Sequence, residues 1–281
     1  MGNYISALQD VQLRGADQQQ GDELLAQGAA MRYAGTRNPD TGEQQPQVTV
    51  RGAMAILSFS LQNRSGGAAS CGIGFKLRND QWRAGQVASS TTYTNDTVDA
   101  QDIGASDFAL ETTTDNSGFV ILSTHKFDWV SIDIGTAGVD GAGATDRVVA
   151  YSNLAGTGFT TAPTNVFTDE FTSTNTVWPT GEAIFVWRPP QDWGKVVSIG
   201  TIPTGFYALR VLSTTAPDTT AALADAIEIG TFAKVAEGIA DNGIMSEEIC
   251  FYWEPFGDAI VAYFSVANGG NSVNAEWRHA G

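Results

Sequence analysis

After Val48, apolar and polar residues alternate with a period of two over much of the chain. Residues 48–63, VTVRGAMAILSFSLQN, show the pattern first. Such alternation is typical of a half-buried β-strand, because successive side chains of a strand point to opposite faces of the sheet. The same pattern, with many β-branched and aromatic residues, predicts strands in GFVILST, FDWVSIDIGT, DRVVAYSN, EAIFVWR, KVVSIGT, FYALRVLSTT, AIEIGTF, EEICFYWEP and DAIVAYFSVAN.

Turn-forming residues separate these segments, in the stretches SGG, DNSG, GVDGAG, PTG and NGG. Glycine, asparagine, aspartate and proline supply the backbone conformations that tight turns need. Short strands with such regular punctuation predict an all-β fold, a β-sandwich or jelly roll with two β-rich domains. The one helical candidate is DTTAALADAIEI, residues 218–229, where threonine and aspartate suit a cap ahead of the alanines.

Residues 1–47 differ in composition from the rest of the chain. They carry glutamine-rich patches and a turn-rich stretch, TRNPDTGEQQP, and DELLAQGAAMRY predicts a short helix between them. Such a segment becomes ordered against another surface rather than around a core of its own. We therefore predict an extended N-terminal arm over 1–47, a β-rich base built from 48–106 and 236–281, and an acidic β-sandwich domain over 107–235.

Two segments share a motif of Asp-Trp, a β-branched run and Ile-Gly-Thr. They are KFDWVSIDIGT at 126–136 and RPPQDWGKVVSIGT at 188–201. A tandem duplication would repeat the residues around the motif, but here the flanks and the internal spacing both differ. We interpret the pair as two strands of one sandwich, with Trp129 and Trp193 adding bulk to it. The prolines of the second segment would end the strand EAIFVWR, because proline has no donor for the ladder.

Charge is distributed unevenly along the chain. Residues 1–95 carry 8 basic and 7 acidic side chains, a net charge of +1, whereas residues 96–281 carry 7 basic and 24 acidic, a net charge of −17. The total of −16 repels phosphate backbones, which argues against direct nucleic-acid binding. No apolar run approaches the roughly 18 residues of a membrane-spanning helix, so no transmembrane segment is predicted.

The order of segments between residues 107 and 235 resembles a β-sandwich module that recurs in structural proteins of bacterial and archaeal viruses. In that module a Tyr–turn–Gly–aromatic–Thr stretch follows a first strand pair, and a Pro–x–Asp–Trp turn and an aromatic–x–x–Arg strand come later. The matching positions here are Tyr151, Gly158, Phe159, Pro190, Asp192, Trp193, Tyr207 and Arg210. The resemblance covers a little under half of the chain, and the arm over 1–47 is not part of it.

The resemblance implies a virion surface protein without catalysis and does not specify the part of the virion. We predict a capsid or capsid-decorating subunit. Its expected partners are copies of itself and other virion proteins. The near-neutral arm would lie against these neighbours, while the acidic body stays soluble and avoids self-association on its exposed face. The alternative is a glycan- or receptor-binding β-sandwich protein of a virus tail or a cell surface, with a host glycan as its partner.

Motifs for catalysis are missing from the sequence. The histidines are His125 and His279, and no GxSxG elbow, nucleotide-binding glycine pattern or short-spaced Cys/His cluster occurs. His125 is expected to be a surface residue at the start of a strand. Two carboxylates can hydrolyse a glycoside, but 31 acidic residues form pairs by chance and the sequence selects none of them. We therefore predict a non-enzymatic protein.

The densest acidic stretch is NDTVDAQDIGASD. It holds Asp96, Asp99, Asp102 and Asp107. Carboxylates clustered in a loop suit Ca²⁺, which accepts irregular oxygen coordination, although the spacing is not that of an EF-hand. A solvated acidic loop is the alternative interpretation, and no other cofactor is expected.

Seven tryptophans suggest a site for sugars, because aromatic faces stack on sugar rings. Trp187 and Trp193 flank a proline-rich turn and are the candidates for glycan binding. Aromatic residues also fill the cores of β-sandwiches by the area that they bury. A core position is therefore the competing interpretation for both.

The chain has two cysteines, Cys71 and Cys250, far apart in sequence. Their number and spacing fit neither a disulfide framework nor a CxxC metal site. We interpret them as two buried free thiols. A disulfide between them is the alternative, since closing a long loop adds stability.

Overall fold

The computed structural model describes most of the chain from residue 54 onward and four short segments before it. The described residues are 8–10, 13–15, 36–37, 44–45, 54–102, 107–110, 116–138, 147–161, 166–169, 178, 180–213, 220–252, 256–266 and 271–279. The helix predicted within DELLAQGAAMRY lies outside them. Among the described residues, a turn of 3₁₀-helix (Asn79–Gln81) and one short α-helix, α1 (Thr97–Gln101), accompany many strands.

The strands confirm the prediction of an all-β fold. They are β1 (Leu8–Asp10), β2 (Leu13–Gly15), β3 (Thr36–Arg37), β4 (Gln44–Gln45), β5 (Met54–Gln62), β6 (Ala69–Leu77), β7 (Trp82–Ala88), β8 (Thr92–Asn95), β9 (Phe108–Ala109), β10 (Ser117–Ser123), β11 (Trp129–Thr136), β12 (Arg147–Ser152), β13 (Phe159–Thr161), β14 (Val166–Asp169), β15 (Gly181–Trp187), β16 (Tyr207–Ser213), β17 (Leu223–Ile239), β18 (Ile244–Tyr252), β19 (Phe256–Phe264) and β20 (Ser272–His279). They form several largely antiparallel sheets.

The chain divides into two compact units. One consists of residues 1–78 and 230–281, and the other of residues 79–229, which are inserted between them. The predicted start of the inserted domain, residue 107, is too late, because β7 pairs with β10 along its length and so belongs to the inserted unit. Its predicted end, residue 235, is also shifted, because β17 pairs with β6 from Gly230 onward.

In the unit of residues 79–229, six strands form an antiparallel sheet in the order β13-β12-β16-β10-β7-β8. All seven residues of the central strand β10 are buried. Phe119 and Ile121 point to one face, and Val120 and Leu122 point to the other, because side chains alternate along a strand. Both faces of this sheet are therefore covered, which explains the continuous apolar run in SGFVILS.

A second sheet of this unit contains β14, β15, β11 and β17 as neighbours, and β9 pairs with β17. Its strands contribute buried aromatic rings to the interior of the unit. Phe108 of β9 lies 6.0 Å from Phe119 of the six-stranded sheet, in edge-to-face orientation. Side chains of the two sheets are thus in contact, in the geometry that aromatic pairs prefer.

In the unit of residues 1–78 and 230–281, β18, β5, β20 and β2 form one sheet. Next to β6 in a second sheet lie β19 on one side and the end of β17 on the other, and β1 pairs with β19. Buried side chains of both sheets share one hydrophobic cluster, which contains Phe59, Leu61, Cys71, Ile73, Phe75, Met245, Ala262 and Phe264. Each large apolar side chain buried in this way contributes roughly 1.5–3 kcal/mol.

The helix predicted over residues 218–229 is wrong, because Leu223–Ile239 forms the strand β17. Leu223 and Ala224 pair with β9, and Gly230 onward pairs with β6. Ile227 and Ile229 are both buried, with the period of two that a strand requires. Helix propensities of ordinary residues differ by under about 1 kcal/mol, and pairing and burial along a whole strand outweigh them.

The strand predicted over KVVSIGT, residues 195–201, is also wrong. These residues form turns, and one isolated bridge joins Lys195 to Tyr207. Val196 and Ile199 are buried at a spacing of three, which would place them on opposite faces of a strand. Of the two segments that share the Asp-Trp motif, only the one containing Trp129–Thr136 continues as a strand.

Candidate functional site

The connection between β15 and β16, residues 188–206, lies over one face of the six-stranded sheet. Its apolar residues Val196, Ile199 and Ile202 are buried. They share a hydrophobic cluster with Val87, Val120, Leu122, Ala208 and Leu212 of β7, β10 and β16. Burial against the sheet fixes the positions of these three side chains.

Trp193 anchors this connection to the sheet. Its side chain is 2% exposed, and Nε1 donates a 3.2 Å hydrogen bond to the carbonyl oxygen of Ala208. The centroid of the indole ring lies 5.0 Å from that of Phe127 and 5.9 Å from that of Trp187. Tyr207 lies 5.8 Å away. Aromatic pairs at such distances add about 0.5–1.5 kcal/mol each beyond the area that they bury.

The turn before the anchoring tryptophan is fixed by two side chains from distant parts of the sequence. Lys126 Nζ donates to the carbonyl oxygens of Pro190 at 2.9 Å and Gln191 at 3.3 Å. The hydroxyl of Tyr151 donates to Asp192 Oδ1 at 3.1 Å. Burial, and then the hydrogen bond and charge of Asp192, raise the pKa of Tyr151. Its hydroxyl therefore stays protonated and continues to donate at neutral pH.

Ser152, at the end of β12, joins the connection to β16. Its Oγ donates to the carbonyl oxygen of Gly194 and accepts a 3.1 Å bond from the backbone nitrogen of Ala208. A Cβ atom at Gly194 would lie 2.5 Å from the carbonyl oxygens of Asn153 and Leu154. Only glycine permits such a close approach of two backbones.

Two ammonium groups lie over the ring of Tyr207. Lys195 Nζ is 5.2 Å and Lys126 Nζ is 5.7 Å from the ring centroid. The chain has four lysines against 31 acidic residues, so this pair concentrates positive charge at one point of an acidic protein. Burial, and then the charge of Lys195, lower the pKa of the nearby His125, which is therefore neutral at pH 7.

Arg210 of β16 makes a second contact on this side of the sheet. Its guanidinium carbon lies 4.0 Å from the centroid of the Phe159 ring, and Nη1 donates to the carbonyl oxygen of Ser90 at 2.7 Å. Burial lowers the pKa of Arg210 to about 10, so it remains charged at neutral pH. The carbonyl oxygen of Gly158 accepts a 2.9 Å bond from Asn153 and closes the turn before Phe159.

The eight positions that carry the resemblance to the viral module therefore all take part in these contacts. Five belong to the cluster around the anchoring indole, and they are Tyr151, Pro190, Asp192, Trp193 and Tyr207. The other three, Gly158, Phe159 and Arg210, form the second contact. The contacts of the first group hold residues 190–193 against the sheet.

The four candidate calcium ligands lie around α1. Asp96 precedes the helix, Asp99 lies within it and Asp102 follows it. Asp107 is exposed beyond residues 103–106, which lie outside the described residues. In the part of the chain that the structure describes, no three His, Cys, Asp or Glu side chains are grouped as metal ligands. Calcium binding stays a prediction.

The pKa of Asp96 responds to the neighbouring carboxyl group of Asp99. Burial raises the pKa of Asp96, and the hydrogen bond and charge of Asp99 raise it further. We expect the substitution Asp99→Asn to lower the pKa of Asp96, because it removes the neighbouring negative charge. An NMR titration of the Asp96 carboxyl carbon measures this shift.

Asp102→Asn is the matched control for that titration, since Asp102 is exposed at the other end of the helix. It is expected to leave the pKa of Asp96 unchanged. An Asp96 pKa that is equal in the wild type and in Asp99→Asn would contradict the interaction between these two carboxyl groups.

The raised pKa of Asp96 also affects stability. Because its folded-state pKa is raised, its contribution to stability is present at low pH and is lost as the pH rises through that pKa. Added Ca²⁺ lowers the pKa if these aspartates bind it.

Trp187 and Trp193, the candidates for glycan binding, are buried, with 1% and 2% of their side chains exposed. Their ring planes are inclined at 50° and their centroids are 5.9 Å apart. Stacking on a sugar needs an exposed ring face, and neither indole offers one in this structure. Both tryptophans are core residues in this structure, which was the alternative to glycan binding.

Cys71 is a buried free thiol in β6. Burial raises its pKa to about 11, so it is protonated and a weak nucleophile at neutral pH. The side chains of Cys250 and His279 lie outside the described residues. His125 is exposed, as expected, and its Nδ1 lies 2.9 Å from Thr124 Oγ1.

A pair of carboxylates is a feature that sequence reasoning did not select. Asp133 of β11 stands opposite Glu182 of β15. Ser131 Oγ donates a hydrogen bond to Glu182, and burial, followed by the charge of Asp225, raises the pKa of Asp133. No local signal marks this pair, because only the register of two strands brings its members together.

None of the described helices is long and apolar enough to cross a membrane. Comparisons of the chain with models of protein families, with curated proteins and with solved structures found no match. The resemblance to the viral β-sandwich module therefore stays a prediction from the residues that carry it.

Proposed function

We propose that the chain is a non-enzymatic structural subunit of a virus particle, a capsid or capsid-decorating protein of a bacterial or archaeal virus. The observation that carries this proposal is the cluster around Trp193. Positions that match the viral module along the sequence meet in space, as in the contacts of Tyr151 with Asp192 and of Trp193 with Tyr207. Such convergence supports a shared module, because positions matched by composition alone would be scattered.

The packing of each unit supports a β-sandwich or jelly-roll architecture. In the unit of residues 79–229, Phe108 and Phe119 of two different sheets are in contact. In the other unit, one cluster combines Phe59 of β5 with Ile73 of β6, which also belong to different sheets. Two sheets that share a core between their inner faces are the elements of a sandwich.

The pairing of residues 8–10 and 13–15 supports an arm that takes part in assembly. Leu8–Asp10 pairs antiparallel with β19, and Leu13–Gly15 pairs parallel with β20. Two short strands so close in sequence therefore extend two different sheets. A sheet edge covered by three residues can accept the same strand from another chain. In the proposed particle, arms of neighbouring copies occupy these edges.

The proposed location is the virion, and the proposed partners are copies of the chain and other virion proteins. A net charge of −16 supports a role in protein contacts rather than in coating nucleic acid. Assembly in this proposal proceeds by burial of surface and by exchange of arms, and no bond is made or broken.

Light scattering of the purified full-length protein, followed by electron microscopy, tests the proposal. We expect a closed oligomer, a ring or shell-like particles. Deletion of residues 1–47 is expected to abolish or shrink them, because both edge pairings are lost. Deletion of residues 1–7 is the matched control, since it retains Leu8–Asp10 and Leu13–Gly15.

Three outcomes separate the parts of this proposal. Assembly that survives deletion of residues 1–47 would contradict the role of the arm. If deletion of residues 1–7 reduced assembly as much as deletion of residues 1–47, the strand pairing of residues 8–10 and 13–15 would not be the cause of assembly. A full-length protein that stays monomeric at every concentration would contradict self-assembly itself.

A further inference from the structure

We propose that Leu154, Lys195 and Val197 form a contact surface for a second copy of this chain. This surface, the 154–197 ridge, consists of two adjoining loops, residues 153–158 and 194–198. The inference rests on the function proposed above and assigns to it a specific interface. It concerns residues far in sequence from the arm, so it can fail while the arm exchange holds.

Both aliphatic side chains of the ridge are exposed, Leu154 to 71% and Val197 to 63%. The loops that carry them adjoin, since a Cβ atom at Gly194 would lie 2.8 Å from the carbonyl carbon of Leu154. A Cβ atom at Gly156 would likewise lie 2.9 Å from Val197 Cγ2. Single exposed aliphatic residues are common on protein surfaces. Two of them on adjoining loops give the ridge an apolar centre for the proposed contact.

Backbone hydrogen bonds hold both loops of the ridge in place. Gly156 N donates to the carbonyl oxygen of Asn153 at 2.9 Å and closes the first loop. Val197 N and Ser198 N donate to the carbonyl oxygen of Gly156 at 2.8 and 3.0 Å and join the second loop to the first. A surface held in one conformation loses little entropy on binding, so the ridge is organised for contact before a partner arrives.

Positive charge flanks the exposed aliphatic residues. Lys195 is exposed in the same loop as Val197. The ammonium groups of Lys126 and Lys195 both lie over the ring of Tyr207. The chain as a whole carries a net charge of −16. The part of a second copy that meets the ridge is therefore expected to be acidic, because complementary charge favours specific association. The same net charge disfavours nucleic acid as the partner of this surface.

A contact between the ridge of one copy and an acidic surface of the next joins two different patches. Such head-to-tail contacts build rings or extended assemblies rather than isolated two-fold dimers. This geometry agrees with the particle subunit proposed above. The apolar side chains of Leu154 and Val197 would supply the buried centre of the contact, and Lys195 would lie at its charged rim.

The double substitution Leu154→Asp/Val197→Asp tests the ridge in the full-length protein. We expect the dissociation constant for assembly to rise by about tenfold or more, which corresponds to about 1.4 kcal/mol, because two apolar side chains at the centre of the contact become carboxylates that burial would leave unpaired. The fold is expected to persist, since both side chains are exposed, and circular dichroism checks this. Light scattering over a concentration series measures the dissociation constant.

Val98→Asp/Ile244→Asp is the matched control, because these two residues are exposed to 69% and 59% and lie elsewhere in the chain. It adds the same charge and is expected to leave assembly as in the wild type. Lys195→Glu is expected to weaken assembly more at low salt than at high salt, because salt screens exposed charges over a Debye length of about 10 Å at 0.1 M.

Each result supports or overturns the inference. Equal weakening by the two double variants would overturn it, because added negative charge alone would then account for the effect. Full assembly of the ridge variant would also overturn it and would leave the proposed function intact. A wild-type protein that is monomeric at every concentration would overturn both the ridge and self-assembly.

Discussion

Replacement of Trp193 by alanine is expected to lower the free energy of unfolding by about 3–5 kcal/mol. The indole is almost completely buried, and its removal leaves a cavity between Phe127 and Trp187. It also leaves the carbonyl oxygen of Ala208 without the hydrogen bond from Nε1. Loss of packing and loss of a buried hydrogen bond act in the same direction. The anchoring role of this residue thus predicts one of the largest effects of any single substitution here.

Urea unfolding followed by far-ultraviolet circular dichroism measures this effect without relying on tryptophan emission. Trp193→Phe retains an aromatic ring but not the donor, so its loss is expected to be smaller, about 1–3 kcal/mol. Leu154→Ala, at an exposed site in the adjoining loop, is expected to change stability by under about 0.5 kcal/mol. A loss below about 1 kcal/mol in Trp193→Ala would mean that the connection is held by other contacts.

The anchor and the 154–197 ridge are physically linked. Trp193 and Val197 lie in the same short segment, and Gly194 between them is bonded to Ser152 on the sheet. The exposed face of this segment can therefore be rigid only because its inner face is packed. A structural core and the proposed surface for contact are two sides of one irregular connection, which explains why so many aromatic residues pack against it.

Many strand positions could be predicted from the sequence because their signal is local. Ser117–Ser123, Gly181–Trp187 and Tyr207–Ser213 largely coincide with the predicted segments GFVILST, EAIFVWR and FYALRVLSTT. In each, β-branched and aromatic residues fill a short run bounded by turn residues. Hydrophobic pattern and turn chemistry agree there, so no distant contact is needed to decide the structure.

The wrong predictions of secondary structure lie where contacts between residues distant in sequence determine the structure. The alanine-rich segment around Ala224 has a local preference for helix, but β9 and β6 supply strand partners that the local sequence does not reveal. Val196 and Ile199 are β-branched residues of a kind that favours strands, yet they cover a sheet instead of joining one. In both cases tertiary packing overrides a propensity of under about 1 kcal/mol per residue.

The candidate site shows the same division. Trp193 and Tyr207 were identified through the order of motifs along the chain, and the structure brings them together. Lys126 was missed, although it fixes the turn at Pro190, because 64 residues separate the two and a single lysine carries no motif. The exposure of Leu154 could not be predicted either, because it depends on the orientation of the loop 153–158 relative to the sheet.

A second large effect is expected at Asn63, which is completely buried at the end of β5. Its Nδ2 donates to the carbonyl oxygens of Gly67 and Ile239, each at 2.7 Å, and its Oδ1 accepts from the nitrogen of Ser65 at 3.0 Å. The side chain thus ties the turn after β5 to the end of β17. Asn63→Ala leaves several of these groups buried without partners, at about 1–3 kcal/mol for each.

We therefore expect Asn63→Ala to lower the free energy of unfolding by about 3 kcal/mol. The loss is smaller than the sum over all these groups, because water can enter and bond to some of them. Asn63→Asp retains the shape and the acceptor but loses both donors, so it is expected to be destabilised as well. Asn95→Ala is the matched control, because Asn95 lies in a comparable Asn-x-Ser/Thr triplet but is exposed. Chemical unfolding compares the three variants with the wild type.

Hydrogen exchange provides a local readout of the same network. The amide of Ser65 bonds to Asn63 Oδ1, so its exchange is expected to accelerate in Asn63→Ala and to remain slow in Asn63→Asp, which keeps the acceptor. Fast exchange in both variants would mean that the turn opens whenever the donors are lost. Wild-type stability in Asn63→Ala would contradict the structural role of the buried amide. Burial of this amide also means that a glycan cannot be attached at Asn63 in the folded chain, whereas Asn95 remains accessible.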